Sequence, residues 1–198
     1  MSPRPIEVPV DGLSDGVVRL RIGSEGDVER IAAIVQDPEI TRWTTIPAAQ
    51  TPLQTREWMQ RGMAGIATGT DLSLVITGAD SDEPLGTIGL HEINRATERA
   101  VCGYVVARES RRKGLGRRAL RLICAHAFEE LRLERVEVTI EAENLASRAT
   151  AESVGFRVEG ILRSYMRIAG KRRDMVMYGL LPGDLAPENQ GRAARLGE

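Results

Sequence analysis

The segment that most constrains the fold is a basic, glycine-containing turn between a strand and a helix. The turn reads Arg111-Arg112-Lys113-Gly114-Leu115-Gly116, and the apolar residues Val101–Ala107 before it predict a buried strand. Apolar residues at spacings of three and four follow the turn and predict an amphipathic helix: Ala119, Leu120, Ile123, Cys124, Ala127, Phe128 and Leu131. Glycine allows close backbone approach, and a helix N-terminus carries partial positive charge. The turn is therefore suited to bind phosphate groups.

This turn differs from the two common nucleotide-binding loops. It lacks the closing Gly-Lys-Ser/Thr of a Walker A loop, and its single G-x-G has no third glycine three residues on. Taken alone, such a turn can also simply connect two elements. The local charge favours an anion site, because seven basic residues lie in one short segment: Arg108, Arg111, Arg112, Lys113, Arg117, Arg118 and Arg121.

With its strand and helix, this turn resembles the acetyl-CoA-binding motif Gln/Arg-x-x-Gly-x-Gly/Ala of the GNAT N-acetyltransferase superfamily. By this resemblance Arg111, Gly114 and Gly116 are the motif's fixed positions, and the loop wraps the pyrophosphate of coenzyme A. The resemblance implies acetyl-CoA as co-substrate and no metal. The cofactor-binding residues it implies are Tyr104, Val105, Val106, Arg111, Arg112, Lys113, Gly114, Leu115, Gly116, Arg117, Asn144 and Ser147.

A second stretch is similar to the RimJ/RimL-like branch of this superfamily, whose members acetylate protein N-terminal amines. Asn-x-x-Ser at 144–147 is followed by Gly155-Phe156 and by Glu159-Gly160, and Asp174 and Tyr178 also match the branch. The same residues have a purely structural reading, in which Asn144 caps a helix and Gly155 ends it. The resemblance covers roughly residues 17–185.

Length and composition predict one soluble globular domain. The chain has 198 residues, 42% of them apolar and 28% charged, and a formal net charge of −1. This charge argues against nucleic acid or an anionic membrane as partner. Cys102 and Cys124 lie in apolar patterns without a C-x-x-C pair or nearby His cluster, which disfavours disulfides and zinc and favours a reduced, cytoplasmic protein. We also expect neither a signal peptide nor a membrane span.

The order of predicted elements indicates a mixed α/β fold. It is strand, two helices, three strands, helix, strand, helix and two strands, with antiparallel hairpins around a βαβ centre. The resemblance implies a single GNAT-like domain with a mostly antiparallel seven-stranded sheet. We expect a flexible arm over residues 1–16, the domain over residues 17–185 and a mobile tail over residues 186–198. Asp37-Pro38 is expected to end the first helix, leaving residues 39–51 irregular.

Acetyl transfer to an amine needs a neutral amine, donors to the carbonyl oxygen and a proton for the departing thiolate. The resemblance implies that the strand Tyr104–Ala107 leaves its neighbour and supplies a backbone N–H donor near Val105. It offers Ser147 or Tyr165 as the proton donor, of which Ser147 is preferred, and it places Asn144 on the cofactor side. Ser147 could equally satisfy a helical turn, and Tyr165 could pack at a strand.

The general base is harder to assign. Members of the branch can carry a Glu just after the position of Tyr165, where this chain has Met166 and Arg167. Glu92 is preferred, acting through water. The other candidates are His91, Glu98 and Glu109.

The acceptor amine is expected to be a protein or peptide N-terminus, or a small-molecule amine. The resemblance places Trp43, Trp58 and Met59 near the acceptor cleft, with Trp58 more simply read as core. Arg172 and Arg173 could meet an acidic acceptor or keep a strand edge soluble. Two other readings stay open: a non-catalytic acyl-CoA-binding module and a nucleic-acid binder. A homodimer is a further expectation from the family.

Overall fold

A computed structural model describes residues 4–187, which form a mixed α/β domain. Its strands are β1 Leu13–Ser14, β2 Val18–Arg21, β3 Leu72–Gly78, β4 Gly86–Asn94, β5 Arg99–Val106, β6 Arg135–Glu141, β7 Arg157–Ile168 and β8 Lys171–Leu180. Its α-helices are α1 Val28–Val35, α2 Pro38–Trp43, α3 Pro52–Thr68, α4 Leu115–Glu129 and α5 Leu145–Val154.

The strands form one sheet in the order β1-β2-β3-β4-β5-β6-β8-β7. All neighbours are antiparallel except β5 and β6, which are parallel and joined through α4 as a βαβ unit. The predicted mixed, mostly antiparallel sheet is confirmed. The described sheet has eight strands where seven were expected, because the short strand β1 adds one edge to it.

The N-terminal segment from residue 6 packs on the domain, which corrects the expectation of a flexible arm there. Ile6 is buried, and its N–H donates to the carbonyl of Ile66 in α3 at 2.9 Å. β1 pairs with β2, with Leu13 opposite Leu20. Isolated apolar side chains anchor this segment, and isolated positions produce no periodic pattern. Its packing could therefore not be predicted from hydrophobic periodicity.

At the other end, Ala186 donates its N–H to the Val154 carbonyl at 2.8 Å, so the domain extends at least one residue past the expected boundary at 185. The rest of the expected tail, from residue 188, lies outside the described residues.

The segment expected to be irregular after Asp37 contains the helix α2. Pro38 stands in its first turn, where its missing N–H costs nothing, and Asp37 accepts the Glu39 N–H at 3.0 Å as the cap. The same Asp-Pro pair that ends α1 therefore starts α2. Ile40 of α2 is buried with Ile34 and Val105.

Helices cover both faces of the sheet. The face that we call the α4 face packs α4 and α5 against strands β2–β6 and β8 in the main core. On the opposite face, called here the α3 face, α1 and α2 pack near β5 and α3 packs on β3. Alternate residues of β5 therefore face different layers: Cys102 and Tyr104 point to the α4 face, and Val105 points to the α3 face.

Candidate active site

The central feature of the candidate site is a gap between the two parallel strands. β5 and β6 pair only over Arg99–Val101 against Arg135–Glu137, although β5 continues to Val106 and β6 to Glu141. Beyond this paired end the strands separate, and their facing backbone groups have no strand partner among the described residues. Unpaired backbone N–H and C=O groups of a strand can form hydrogen bonds with an extended polar chain that lies alongside it. The gap can therefore hold an extended molecule with amide groups.

Backbone direction shows which groups of β5 face this gap. Successive residues of a strand direct their N–H and C=O groups to opposite edges. The Val105 carbonyl faces β4, so close to Gly86 that a side chain there would collide with it. Tyr104 and Val106 therefore direct their N–H groups into the gap. An oxyanion donor of the kind predicted near Val105 would have to be one of these two neighbouring amides.

The phosphate-type turn lies at the C-terminal end of β5, beside the gap. Gly114 caps α4 in a left-handed conformation with φ of 76°, and the first α-helical bond runs from the Arg118 N–H to the Gly114 carbonyl. The N–H groups of Leu115, Gly116 and Arg117 precede that bond and point out of the helix end. The first turn contains no acidic residue. These donors and the helix dipole together suit a phosphate or diphosphate.

Gly116 brings this helix close to β5. A side chain on Gly116 would meet Val106, Tyr104 and Thr150, at 3.5 to 3.9 Å for its first carbon atom. The start of α4, the strand β5 and the helix α5 therefore converge at one point. The predicted residues of the turn and of β5 are thus brought together around the end of the gap.

Arg111 holds the turn in place. Its Nε donates to the Val106 carbonyl at 3.0 Å, and its Nη2 contacts Asp37 Oδ2 at 2.6 Å. Burial opposes ionisation of Asp37, but the Glu39 N–H and Arg111 outweigh it and keep the pKa of this carboxyl below its usual value. Arg111 therefore links the turn to the N-cap of α2. The exposed Arg112 and Lys113 are left to face a ligand.

Ser147 and Tyr104 form a hydroxyl pair on the α4 face of the gap. Ser147 stands in the first turn of α5, and its Oγ lies 3.0 Å from the Tyr104 hydroxyl. That hydroxyl also donates to the Ser147 carbonyl at 3.3 Å. Burial raises the pKa of Tyr104 to about 12, so the phenol stays protonated at neutral pH. The pair can supply a proton to a group held in the gap. Tyr104 was predicted only as a backbone contact, so sequence reasoning missed its hydroxyl.

Asn144 positions Ser147. Its Oδ1 accepts the Ser147 N–H at 3.1 Å, which is the capping role that its side chain predicts at a helix start. Tyr178, which also matches the RimJ/RimL-like branch, holds α5 in place from β8. Its side chain is fully buried, and its hydroxyl donates to Glu152 at 2.8 Å and accepts from Arg148 at 2.9 Å. The Asn-x-x-Ser segment is therefore fixed at both ends.

Neither Tyr165 nor Glu92 is hydrogen-bonded to Ser147 or Tyr104 in the described part of the chain. Tyr165 lies 52% exposed in β7, at a register shift between Leu162 and Met166. Glu92 lies in a bulge of β4 with φ of 51°, and its Oε2 is 3.8 Å from Arg99 at the paired end of β5. This position is more than about 10 Å along the strand from Val105, at ~3.3 Å per residue.

The remaining base candidates lie in different places. Glu98 stands just before β5, at the same paired end as Glu92, and the exposed Glu109 contacts Arg30. His91 is different, because its ring lies over Gly89 and Gly103 on the α3 face, where these glycines leave room for it. Its Nδ1 is 3.2 Å from Asp71 Oδ1, and its side chain is 43% exposed. The His91 ring, beside Gly103, therefore lies one residue from Tyr104, whose N–H faces the gap.

A buried carboxylate that sequence reasoning missed lies across the gap. Glu141, the last residue of β6, contacts Arg173 of β8 at 3.2 Å through Oε1. Its Oε2 is buried and has no hydrogen-bond partner in the described part of the chain. No sequence signal marked this position, because Glu141 follows the apolar alternation of β6 and looks like a strand end.

The aromatic residues expected at the acceptor cleft are divided between two places. Trp58 and Met59 of α3 pack against Ile31, Val35 and Val75, and they line a small cleft on the α3 face. Trp43 ends α2, partly buried, and Arg42 stacks on its ring at 4.4 Å. α2 also contacts β7. Trp43 therefore lies on a helix that contacts β7 and packs Ile40 against Val105 of β5, whereas Trp58 packs against α1 and β3.

Among residues 4–187, no group of three or more His, Cys, Asp or Glu side chains is arranged to hold a metal ion. Within the same range no helix combines the length and apolar character needed to cross a bilayer. Cys102 and Cys124 are free and buried, and burial raises the pKa of the Cys102 thiol to about 12.

Known proteins share both this sequence and this fold. The sequence profile of the family "Acetyltransferase (GNAT) domain" matches residues 18–157. The chain is 29% identical over 160 residues to "Uncharacterized N-acetyltransferase p20" of Bacillus licheniformis, covering 81% of this chain and 90% of that protein. It is 38% identical over 112 residues to "Putative ribosomal N-acetyltransferase YdaF" of Bacillus subtilis, covering 56% of this chain and 61% of that protein.

A solved structure with the same fold is "Mycobacterium smegmatis RimJ in complex with CoA-disulfide". It aligns with a TM-score of 0.81 and 26% sequence identity, over 89% of this chain and 87% of that one. The profile match covers the gap, the phosphate-type turn and the Ser147 helix. This chain therefore belongs to the GNAT acetyltransferase family and is an acetyl-CoA-dependent N-acyltransferase.

Proposed function

We propose that the protein transfers the acetyl group of acetyl-CoA to the N-terminal amine of a protein or peptide, by direct attack when both are bound. The observation that carries this proposal is the gap between β5 and β6, which opens onto the N-terminus of α4 at one end and onto Ser147 and Tyr104 at its side. The names of YdaF and RimJ support a protein acceptor. A small-molecule amine is the other acceptor class to test.

Coenzyme A fits the residues around the gap. The free N–H groups at the start of α4, with Arg112 and Lys113, would hold the diphosphate, and the N–H groups of Tyr104 and Val106 would bind the amide-containing arm and the thioester oxygen. Acetyl-CoA would supply the activated acetyl group, and coenzyme A would leave as the free thiol. Because backbone amides are fixed by the fold, they need no reorganisation as negative charge develops on that oxygen.

Two proton transfers are assigned to side chains of this protein. Ser147, backed by the protonated Tyr104, donates a proton to the departing thiolate on the α4 face. His91, oriented by Asp71, accepts the proton of the attacking amine through water on the α3 face. Glu92 and Tyr165, preferred or considered from the sequence, stay as alternative candidates that single variants distinguish.

The test is a direct assay of the purified protein. Acetyl-CoA is incubated with peptides that carry free N-termini, with the same peptides blocked at the N-terminus, and with small amines. We expect release of free thiol and a mass increase of one acetyl group only where a free N-terminus is present. Binding of coenzyme A without turnover of any amine would select the non-catalytic acyl-CoA-binding module instead.

We also propose that the protein is cytoplasmic and forms a homodimer. Two buried, reduced cysteines support a reducing compartment. For the dimer, the supporting feature is the edge strand β7, where Val158 and Ile161 are 53% and 66% exposed. Light scattering of the purified protein measures the oligomeric state, and a Val158→Lys/Ile161→Lys variant should remain monomeric.

A further inference from the structure

The hairpin of β7 and β8 extends past the open end of the gap. β6 ends at Glu141, which pairs with Met175, so residues 163–173 continue beyond the last strand residue beside them. β5 and β6 are parallel, and their C-terminal ends are the ends that separate. Any acceptor that approaches the gap from this end must therefore pass the hairpin.

Residues 163–173 of this hairpin carry only positive charge, and the exposed Asp174 follows them. No acidic residue occurs between Gly160 and Arg173, and the basic residues, which we call the basic hairpin, are Arg163, Arg167, Lys171, Arg172 and Arg173. Arg173 is paired with Glu141. The other four are exposed and have no carboxylate within ion-pair distance among the described residues. For a chain of net charge −1, this is a strong local concentration of charge.

The backbone of the basic hairpin is held in a defined shape. Asp174 accepts the Ser164 N–H at 2.7 Å, where Ser164 has φ of 53°. Arg172 donates to the carbonyl oxygens of Ser164 and Tyr165, each at 3.2 Å. The positive charges are therefore presented from a fixed position, which lowers the entropy cost of binding a partner to them.

We propose that the basic hairpin selects acceptors whose N-terminal amine is followed by acidic residues. This inference rests on the proposed function, because it places the acceptor's first residues between the gap and the hairpin. From Arg163 to Gly170 the hairpin spans about 20 Å, the length of about six extended residues. Carboxylates in those positions would meet Arg163, Arg167 and Lys171. A polycationic amine would instead be repelled there.

An acidic peptide fits these observations better than RNA does. The charges lie at the entrance to the gap, where an amine must enter, and they cover the length of a short peptide. A nucleic-acid surface uses basic residues along a longer path, commonly with stacking aromatic side chains. Tyr165 is the only aromatic residue of the segment 163–173. RNA binding is therefore treated as a competing outcome.

The experiment measures binding directly, separately from turnover. Peptides with the same first two residues and a free N-terminus carry Glu, Gln or Lys at the third to sixth positions, and their affinity for the coenzyme A-loaded protein is measured by fluorescence anisotropy. We expect the acidic peptide to bind about tenfold tighter than the neutral one, and this advantage to shrink as salt rises. Equal affinities, or tighter binding of the basic peptide, would overturn the proposal.

Two variants with the same change in charge provide the control. Arg163→Glu should weaken binding of the acidic peptide about fivefold, as expected for an exposed charge at the edge of an interface. Arg132→Glu should not, because the exposed Arg132 follows the C-terminal end of α4, away from the gap. Equal effects of both variants would show that only net charge matters and would refute a specific surface.

Two further outcomes separate this inference from the proposed function. Preferential binding of the acidic peptide without acetylation of any peptide would support the surface and refute the activity. Acetylation that is equally efficient for all three peptides, measured as kcat/KM, would support the activity and refute the surface. A short single-stranded RNA that binds the basic hairpin more tightly than the acidic peptide would also refute it.

Discussion

At the scale of single residues, the hydroxyl groups of Ser147 and Tyr104 form a pair in which one can support proton donation by the other. An isolated serine hydroxyl is a poor proton donor, but the Ser147 Oγ lies 3.0 Å from the Tyr104 hydroxyl, which stays protonated because burial raises its pKa to about 12. The phenol can return a proton to the serine as the serine gives one away. Asn144 fixes the position of Ser147 through the first turn of α5. The proposed proton donor is therefore a pair of hydroxyls.

Replacing Ser147 by Ala should lower kcat about 10²-fold, the usual contribution of one general acid. The KM for acetyl-CoA should change little, because the proposed diphosphate site consists of backbone N–H groups at the start of α4 and does not use the Ser147 hydroxyl. Tyr104→Phe should have a smaller effect, and Ser147→Thr should keep most of the activity. Steady-state kinetics with a peptide acceptor measure all three. A larger loss in Tyr165→Phe than in Ser147→Ala would instead assign the proton donor to Tyr165.

His91→Gln should lower kcat for acetylation about 10²-fold, the usual contribution of one general base, because glutamine cannot accept the proton of the attacking amine. Steady-state kinetics with a peptide acceptor measure this loss. Glu92→Gln is the matched control and should keep the parent kcat. A kcat of the His91→Gln variant equal to that of the parent would exclude His91 as the base.

At the scale of elements, the N-terminus of α4 and the open end of β5 form one unit. Arg111 binds both the Val106 carbonyl and Asp37, so α2 is attached to the same point. The proposed diphosphate site, the end of β5 and the helix α2 are therefore positioned by a single turn. A change in that turn should therefore alter the affinity for the cofactor more than it alters other properties of the protein.

Gly114→Ala should test this turn. The added methyl group has open space around it, but φ of 76° disfavours any residue with a side chain by about 1–2 kcal/mol. Gly170→Ala is a matched control with φ of 77° and equally open surroundings. Both variants should lose similar stability in urea unfolding. Only Gly114→Ala should weaken coenzyme A binding in calorimetry, about tenfold, because relaxation of its strain moves the phosphate-binding amides.

Sequence reasoning predicted the elements that carry the site more reliably than the contacts between them. Alternation and turn residues placed β6 at Arg135–Glu141, and helical periodicity placed α4. Neither pattern predicts that β5 and β6 separate, because a strand carries the same apolar residues whether or not it is hydrogen-bonded to its neighbour. The bulge at Glu92 could not be predicted from the sequence. The same is true of the His91 ring, which lies over Gly89 and Gly103 because these residues have no side chain.

At the scale of the whole molecule, three buried or partly buried carboxylates connect separate segments. Asp15 binds Arg118 at 2.7 Å and so ties the β1–β2 turn to α4. Asp27 binds Arg21 at 2.8 Å and caps the segment before α1. Asp37 binds Arg111 at the phosphate-type turn. Asp15, in the segment expected to be a flexible arm, is thus joined to α4 by an ion pair, and Asp37 joins α2 to the phosphate-type turn.

These carboxylates should make the fold labile to acid. Burial opposes their ionisation, but backbone N–H groups and Arg118 lower the pKa of Asp15, and Arg21 with Ser24 lowers that of Asp27. A folded-state pKa below the unfolded value of about 3.9 gives stability that is present above pH 4 and is lost as pH falls through the folded pKa. We expect urea midpoints to stay nearly constant from about pH 7 to pH 5 and to drop below about pH 4.

The variant Asp27→Asn separates this linkage from general acid denaturation. It should be less stable than the parent protein at neutral pH, because Arg21 loses its charged partner. Below pH 4 the parent loses the same interaction by protonation, so the two stability curves should converge there. Asp80→Asn, at an exposed turn position, should follow the parent curve throughout. Parallel curves for the parent and Asp27→Asn down to the lowest pH would contradict a lowered pKa at Asp27 and would leave the acid sensitivity to other carboxylates.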